Sequence, residues 1–559
     1  MGKAVSKIIR ILLHPACVCI AAILFFALIR YLDTRWRFLP YTFAVTLVIA
    51  AVFFMFSRRP IFSLYGAAAI VLLQTGASIV KFRLKGYSLH VFDFIFTSTD
   101  TAILGFLIKY YTALAVGAAL ALVATAAFLW AMFRAEKPWN TPALVRLPAL
   151  LLTVGISIGA HPTARPGDPP FIFGFNASSL FMSFWHIPSL IGEPPLAAKL
   201  KAVAPQGELA DTVECGPEGA RPDFYLVLSE SQTSPQRFPQ ISLPAAIADT
   251  FRSGDGTIKP MFVETFGGGT WMSNFSMLTG LSSADFSWQA PYVNQLLEGR
   301  IKGALPDVLA RCGYRTVAIM PMKYNAVNEG PFLRSIGFQE VFDAVDLSLP
   351  EWGARDKLYF DFAEKLIAEH RKTDKRPLFL AMETMFAHAP YDKDMVPQAL
   401  VPEERFAEDR KVNEYARRVA LARADLQAFL KRRAADAELH PSVAVDFGDH
   451  QAEATLGYAL ALDPAKNMFA DFRSPVYETY FAVRGYGVDI DYAKLDQAED
   501  IALVMAKILN AAGLPTSPKF RNLNELSEAC GGRYHTCKDR RIVDEHLKKL
   551  ANSGLLDAG

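Results

Sequence analysis

Three apolar runs in this chain each end in side chains able to do chemistry. FYLVLSES carries Glu230, ETMFAHAPY carries His388, and VDFGDHQ carries Asp449 with His450. Two carboxylates and an imidazole make a hard-to-borderline donor set suited to Zn²⁺ or Mn²⁺. A fourth stretch, FGGGTWMSNFSMLTGLSS from Phe266, places three glycines ahead of Thr270 and then a helical pattern. Glycines there let the backbone approach a ligand closely, and a helix starting at Thr270 aims unpaired N–H groups at an anion. A threonine hydroxyl is a weak nucleophile when free and a competent one beside a divalent metal. The residues therefore predict phosphoryl-type transfer through a covalent threonine ester. Trp271 and His440 are expected to be structural.

These groups need a scaffold that brings them together. From residue 222 onward, short apolar runs alternate with helical stretches, the pattern of an α/β domain. Strands are expected over DFYLVLSE, RTVAIMP, PLFLAMET, SVAVDFGD and YFAVRG, with helices over residues 356–371 and 404–433. Near-continuous apolar runs imply a mostly parallel sheet covered on both faces. Ligands of such sheets bind beyond the carboxyl ends of the strands, where Glu230, His388, Asp449 and His450 fall.

The first 160 residues differ in kind. The hydrophobic fraction of 52% over 559 residues is concentrated there. Apolar runs cover residues 11–32, 41–56, 61–80, 110–133 and 144–160, against the roughly 20 residues a spanning helix needs. The chain reads as polytopic, with five spans in a domain over residues 1–160. Residues 91–108 carry Asp93 and Asp100, each costing about 2.5–3.5 kcal/mol at a bilayer centre, so they read as interfacial or re-entrant. Five spans with the N-terminus inside put the rest of the chain outside the cytoplasm, an orientation the Lys and Arg distribution favours slightly. Residues 161–221 read as a juxtamembrane linker, in which SSLFMSFWHIPSLIG suits either a helix on the membrane surface or a packed segment. Residues 222–559 form the catalytic domain. A net charge of +2 gives no electrostatic case for nucleic acid.

The six cysteines divide by context. Cys17 and Cys19 lie in the first apolar run as packing residues. Cys530 and Cys537 suit a disulfide in an oxidising compartment, or a poorly spaced zinc site with His535. Cys215 and Cys312 are expected to be unpaired.

FYLVLSES, FGGGTWMSNFSMLTGLSS, FAHAPY and VDFGDH, in that order behind the apolar segments, resemble the lipoteichoic acid synthase-like branch of the alkaline phosphatase (sulfatase) superfamily. Relatives include periplasmic-glucan phosphoglycerol transferases and, more distantly, lipid A phosphoethanolamine transferases. The resemblance implies Glu230, Thr270, Asp449 and His450 around one divalent ion, with Thr270 as nucleophile and His388 facing the substrate. It also implies a bacterial inner-membrane enzyme with a periplasmic catalytic domain, using phosphatidylglycerol as donor and an envelope glycan or similar acceptor. Phosphoethanolamine transfer or phosphodiester hydrolysis is the alternative on the same site. An inactive envelope assembly or sensor protein is the alternative of another kind.

The chain departs from that pattern in IMPMKYNAVNEGPFLRSIGF, where relatives carry a histidine and an Asn-Arg pair. Here the pair is Asn328-Glu329, so a phosphate-clamping arginine is missing. Lys323, Asn325 and Arg334 are the candidate replacements. Glu329 would repel an anionic donor by roughly 4 kcal/mol at about 4 Å and an effective dielectric of about 20. It would instead attract an aminated head group. The Cys-x-Pro-x-Arg stretch that sulfatases proper need for formylglycine is absent.

Overall fold

The computed structural model describes residues 3–33, 36–85, 87–96, 105, 108–162, 176–204, 206–217, 221–350, 352–402, 405–464 and 471–559, excluding the side chains of residues 3–7, 84 and 85. The chain divides into two compact units, Met1–Gly192 and Glu193–Gly559.

Among the described residues of the first unit, four helices are long and apolar enough to cross a bilayer: Pro15–Leu32, Trp36–Ser57, Pro60–Arg83 and Thr112–Ala135. A fifth apolar helix, Ala143–Gly159, has 17 residues. At 1.5 Å per residue it reaches about 25 Å, just short of a hydrocarbon layer about 30 Å thick. The start of the third helix is capped by Glu136, whose carboxylate accepts from the N–H groups of Ile61 (3.0 Å) and Phe62 (2.6 Å). Among the described residues of 91–108, Val91–Phe96 is a six-residue helix, too short to span. Asp93 is neutralised there by Lys81 at 2.5 Å. Asp100 lies outside the described residues, as does the linker stretch 163–175. Further along, Leu180 and Phe181 are buried while Phe184, Trp185 and Ile191 are exposed. The Trp185 indole N–H donates to the Tyr41 hydroxyl at 2.9 Å. This segment is thus a packed piece with one exposed apolar edge.

The second unit is built on one eight-stranded sheet: β1 (Asp223–Ser229), β2 (Lys259–Phe262), β3 (Arg315–Ile319), β4 (Glu340–Phe342), β5 (Leu378–Glu383), β6 (Ser442–Gly448), β7 (Glu478–Tyr486) and β8 (Glu499–Asp500). The spatial order is β4-β3-β5-β1-β6-β7-β2-β8, with β7 antiparallel to both neighbours and every other pairing parallel. β1 and β6 are buried almost throughout, as expected of strands covered on both faces. One face holds a core of Tyr225, Val227, Val317 and Leu380 against Tyr359, Phe360 and Phe429. Those partners come from the helices Asp356–Thr373 and Arg410–Ala435.

The second of these helices starts later than the sequence pattern suggests. Asp409 is its cap, its Oδ1 accepting from the N–H groups of Lys411 and Val412. Such a cap is worth about 1 kcal/mol. Residue 404 lies outside the described residues. Within the helix, fully buried Arg423 reaches Asp446 of β6 at 2.6 Å, and Arg484 of β7 holds the other carboxylate oxygen at 2.5 Å. Burial alone would raise the Asp446 pKa, but these guanidinium groups hold it below its ordinary value.

The cysteine expectation needs a correction. Cys215 and Cys312, expected to be unpaired, form a disulfide across 97 residues, and Cys530 pairs with Cys537. In the chain-entropy account a loop near 100 residues is worth about 4.7 kcal/mol. Two disulfides in this unit are compatible with an oxidising compartment, and the five-span expectation with an internal N-terminus has Ala143–Gly159 cross as well. A reporter active only outside the cytoplasm, fused after Gly559, is therefore expected to be active. Cytoplasmic-only reporter activity would give four spans and reverse the sidedness.

Candidate active site

Strands β5, β1 and β6 are parallel neighbours, so their carboxyl ends finish side by side. Glu383 closes β5 opposite Leu228, Glu230 follows β1, and Asp449 with His450 follows β6. Two backbone details let the chain turn there. At Gly448 a Cβ would lie 1.8 Å from the Gln232 carbonyl oxygen, so only glycine permits that approach. Ser231 has a left-handed φ of 55°, a strain of order 1–3 kcal/mol for a non-glycine residue. In that conformation its N–H donates to Asp449 Oδ1 (2.7 Å) and its hydroxyl to Glu230 Oε1 (2.7 Å).

Thr270 is the first residue of the helix Thr270–Thr279, capped by Gly269 at φ 86°. A Cβ on Gly269 would meet Met272 Cε at 2.6 Å and Thr265 Oγ1 at 2.8 Å. The Thr270 hydroxyl donates to Glu230 Oε2 at 3.0 Å and lies 3.4 Å from His450 Nε2. His450 Nδ1 is 3.0 Å from the Gln451 carbonyl, which assigns the proton to Nδ1 and the lone pair to Nε2. His450 Nε2 is 3.2 Å from Asp449 Oδ2 and 3.7 Å from Glu230 Oε1. Ser273, one turn into the helix, donates to the Asp449 backbone carbonyl at 2.6 Å.

Glu230, Asp449 and His450 are all buried, with one donor atom from each lying within 4.8 Å of the others. Asp449 Oδ2 is buried with no hydrogen-bond partner. A buried carboxylate oxygen left unpaired in a protein interior is costly unless a cation takes it. Burial pushes Asp449 up to about 7, and burial followed by the Asp449 charge raises Glu230. Burial lowers His450, keeping the imidazole neutral as a ligand must be. The donor set and the orphaned oxygen fit a divalent ion, with Thr270 Oγ1 as a fourth donor atom.

The other predicted site residues separate. His388 is partly buried, with Nδ1 donating to the Ala389 carbonyl (2.6 Å) and its ring against Trp352 at 5.0 Å. Burial lowers its pKa, opposed by the Glu230 charge, so it stands within electrostatic reach of the cluster. Lys323, Asn325 and Arg334 are exposed. Trp271 is buried, with its indole N–H on the Pro291 carbonyl at 3.1 Å.

Glu329 is buried and comes to the site through an unforeseen residue. Asn274, four residues after Thr270 and on the same helix face, donates to Glu383 Oε1 (2.6 Å) and Glu329 Oε1 (3.3 Å). The two carboxyls also hydrogen-bond each other, and burial raises both pKa values. The pair therefore retains a proton well above the ordinary carboxylate range. The full repulsion expected from a bare Glu329 is correspondingly reduced. Sequence reasoning missed Ser231, Asn274 and Glu383. The i,i+4 spacing from Thr270 and the strand-end position of Glu383 were the available signals.

Residues 222–475 match the Sulfatase family model. An uncharacterised protein of Haemophilus influenzae is 24% identical over 349 residues, 59% of this chain and 61% of its own length. The chain thus spans about three fifths of that relative. Among solved structures, Streptococcus pyogenes phosphoglycerol transferase GacH in complex with sn-glycerol-1-phosphate is 19% identical, covering 64% of this chain and 89% of its own, with a TM-score of 0.47. The integral membrane lipooligosaccharide phosphoethanolamine transferase EptA of Neisseria meningitidis is 14% identical, covering 88% and 95%, with a TM-score of 0.49. The lipoteichoic acid synthase LtaP of Listeria monocytogenes is 16% identical, covering 56% and 76%, with a TM-score of 0.41.

The raised carboxyl pKa values make metal binding pH-dependent. A carboxyl with a raised folded pKa binds more protons folded than unfolded. The metal-free domain should lose stability as pH rises from the unfolded value of about 4 through the folded one, about 7 for Asp449. A metal needs the deprotonated groups, so its stabilisation should grow over the same window. Melting with and without chelator is expected to show a larger metal-dependent Tm shift at pH 8 than at pH 5.5. Equal shifts would remove Asp449 and Glu230 from the ligand set.

Proposed function

We propose that this chain is a membrane-anchored, metal-dependent phosphotransferase that moves a phosphoglycerol group from phosphatidylglycerol to an envelope glycan or similar acceptor. Its catalytic domain would face the periplasm at the bacterial inner membrane. The observation that carries the reading is the Thr270 hydroxyl at a helix N-terminus, 3.0 Å from Glu230 and 3.4 Å from His450. The motif resemblance supports the phosphoglycerol detail.

Glu230, Asp449 and His450, with Thr270, would hold one Mn²⁺ or Zn²⁺. When bound, such an ion supplies Lewis acidity that favours the threonine alkoxide and neutralises phosphoryl charge. Thr270 Oγ1 attacks phosphorus, forming the Oγ1–P bond as the bond from phosphorus to the diacylglycerol oxygen breaks. The hydroxyl proton starts on the Thr270–Glu230 hydrogen bond, and the departing diacylglycerol oxygen ends protonated. His388, with its Nδ1 proton on the Ala389 carbonyl, would relay that proton through Nε2. An acceptor hydroxyl then attacks the same phosphorus, losing its proton as Thr270 regains one. The N–H groups opening the Thr270–Thr279 helix would bind the phosphoryl oxygens.

Glu329 and Glu383 favour a second reading, transfer of phosphoethanolamine, because a carboxyl pair suits an ammonium group better than a glycerol. Vesicles carrying donors labelled in either head group separate the two. With phosphatidylglycerol as donor, Glu329→Gln is expected to leave activity unchanged or raise it. With an aminated donor it should weaken binding and raise KM. No effect with either donor would take Glu329 out of the substrate site.

Thr270→Ala is expected to lower kcat by a factor of order 10³ or more, the scale of removing a nucleophile. The fold should be retained because only a small hydroxyl-bearing group is lost. Mass spectrometry of rapidly quenched wild-type protein should find glycerophosphate on the Thr270 peptide. Turnover by the alanine variant within about tenfold of wild type would sink the covalent mechanism.

A further inference from the structure

The segment ACGGRYHTC has no part in the reaction just described. Cys530 and Cys537 are joined to each other, which excludes them as thiolate ligands and replaces the zinc reading of this segment. The closed loop presents His535, whose Nε2 lies 3.0 Å from Glu264 Oε1. Glu264 sits two residues past β2 and is 1% exposed. Its other oxygen, Oε2, accepts from Ser276 Oγ (3.0 Å), Ser283 N (2.7 Å) and Ser283 Oγ (2.5 Å).

Ser276 lies in the second turn of the Thr270–Thr279 helix, and Ser283 follows its C-terminal Gly280. Thr265, the next residue, donates to the Gly268 carbonyl within the glycine turn. One carboxylate thus ties the entry of the glycine turn to the far end of the helix that starts at Thr270. His535 is the cationic partner that lets that carboxylate stay charged while buried.

We infer that His535, held by the Cys530–Cys537 loop, is a positioning residue that fixes the Thr270 helix through Glu264. The part concerning catalysis rests on the reading of Thr270 as nucleophile. The loop is itself anchored. The His535 N–H donates to Asp500 Oδ2 at 3.1 Å, Asp500 pairs with Arg473 at 2.8 Å, and the ring lies 4.5 Å from Phe472. The other titratable groups around the pair are Glu499 on β8, Tyr534 on the loop, and Asp285 with Arg540, joined at 2.7 Å.

The pH window follows from directions. Burial alone would lower His535, but Glu264 raises it above its ordinary value, so the contact is complete at low pH and lost as pH rises through that raised pKa. Burial alone would raise Glu264, but His535 and Ser283 lower it, so its share is lost only as pH falls through the lowered value. The clamp is intact between the two.

The test uses the full-length protein in lipid nanodiscs, with hydrogen exchange of the 266–279 amides read beside kcat and KM for a labelled phosphatidylglycerol donor. His535→Ala is expected to speed exchange in that segment and to lower kcat about 10- to 100-fold, with KM within about twofold. His535→Gln, which can still hydrogen-bond Glu264, should restore part of kcat and remove the alkaline limb of the wild-type profile. Replacing Cys530 and Cys537 by serine should act in the same direction, and adding His535→Ala to it should cost no more than His535→Ala alone. Unchanged exchange at 266–279 in both His535 variants overturns the inference whether or not the wild type turns over the donor. A full kcat with the alkaline limb intact in His535→Gln overturns it as well, and so does additivity of the serine and alanine effects. Absent wild-type turnover with faster exchange in the variants would count against the phosphotransfer reading and leave the clamp standing.

Discussion

Everything in the catalytic unit depends on keeping two carboxylates and an imidazole buried within a few ångströms of one another. Glu230 and Asp449 immediately follow Ser229 and Gly448, the last paired residues of adjacent parallel strands, so the ladder sets where both side chains begin. In that dry position burial raises both pKa values, and the Asp449 charge adds to the rise at Glu230. The surroundings then become intelligible as compensation. Ser231 accepts a left-handed backbone to donate to both groups, Thr270 brings a hydroxyl, and Asp449 Oδ2 is left over for a cation. A buried like-charge pair is unstable alone and becomes an asset once an ion is present.

A similar logic recurs beside the site with a different outcome. Glu329 and Glu383 share Asn274 and hydrogen-bond each other, so a retained proton relieves the repulsion there. Arg423 and Arg484 relieve it at Asp446, and His535 does so at Glu264. The domain thus neutralises buried acids with protons, guanidinium groups and an imidazolium, and at Glu230 and Asp449 the residues fit a metal ion. Which remedy applies at a given acid decides which groups remain able to bind or release something.

The parts legible in the sequence were those with long local signals. The strands over residues 223–229, 315–319, 378–383 and 442–448 announced themselves as apolar runs, and their polar ends led directly to Glu230, Asp449 and His450. β2, β4 and β8 have four, three and two residues, too few for any periodicity to show. The start of the long helix at Arg410 was obscured because charged, helix-favouring residues precede its Asp409 cap. Pairing across distance was the least legible. Cys530 and Cys537 are 7 apart, so their closeness is built into the chain, whereas Cys215 and Cys312 are 97 apart and meet only through the fold. The partnership of Glu329 with Glu383 was hidden for the same reason. Neighbourhood in a parallel sheet is set by crossovers, and spacing along the chain does not record it.

The Cys215–Cys312 bridge also changes how the catalytic unit bears tension. A pull arriving along the chain from the membrane-proximal side reaches Cys215 and can pass through the covalent bridge directly to Cys312, just ahead of β3. Residues 216–311 then form a slack covalent branch outside the load path. That branch contains β1 with Glu230, the glycine turn, and the helix that begins at Thr270. Load entering this unit at Cys215 would therefore have a covalent route to Cys312 that bypasses the stretch carrying Glu230 and Thr270, whose oxygens lie 3.0 Å apart.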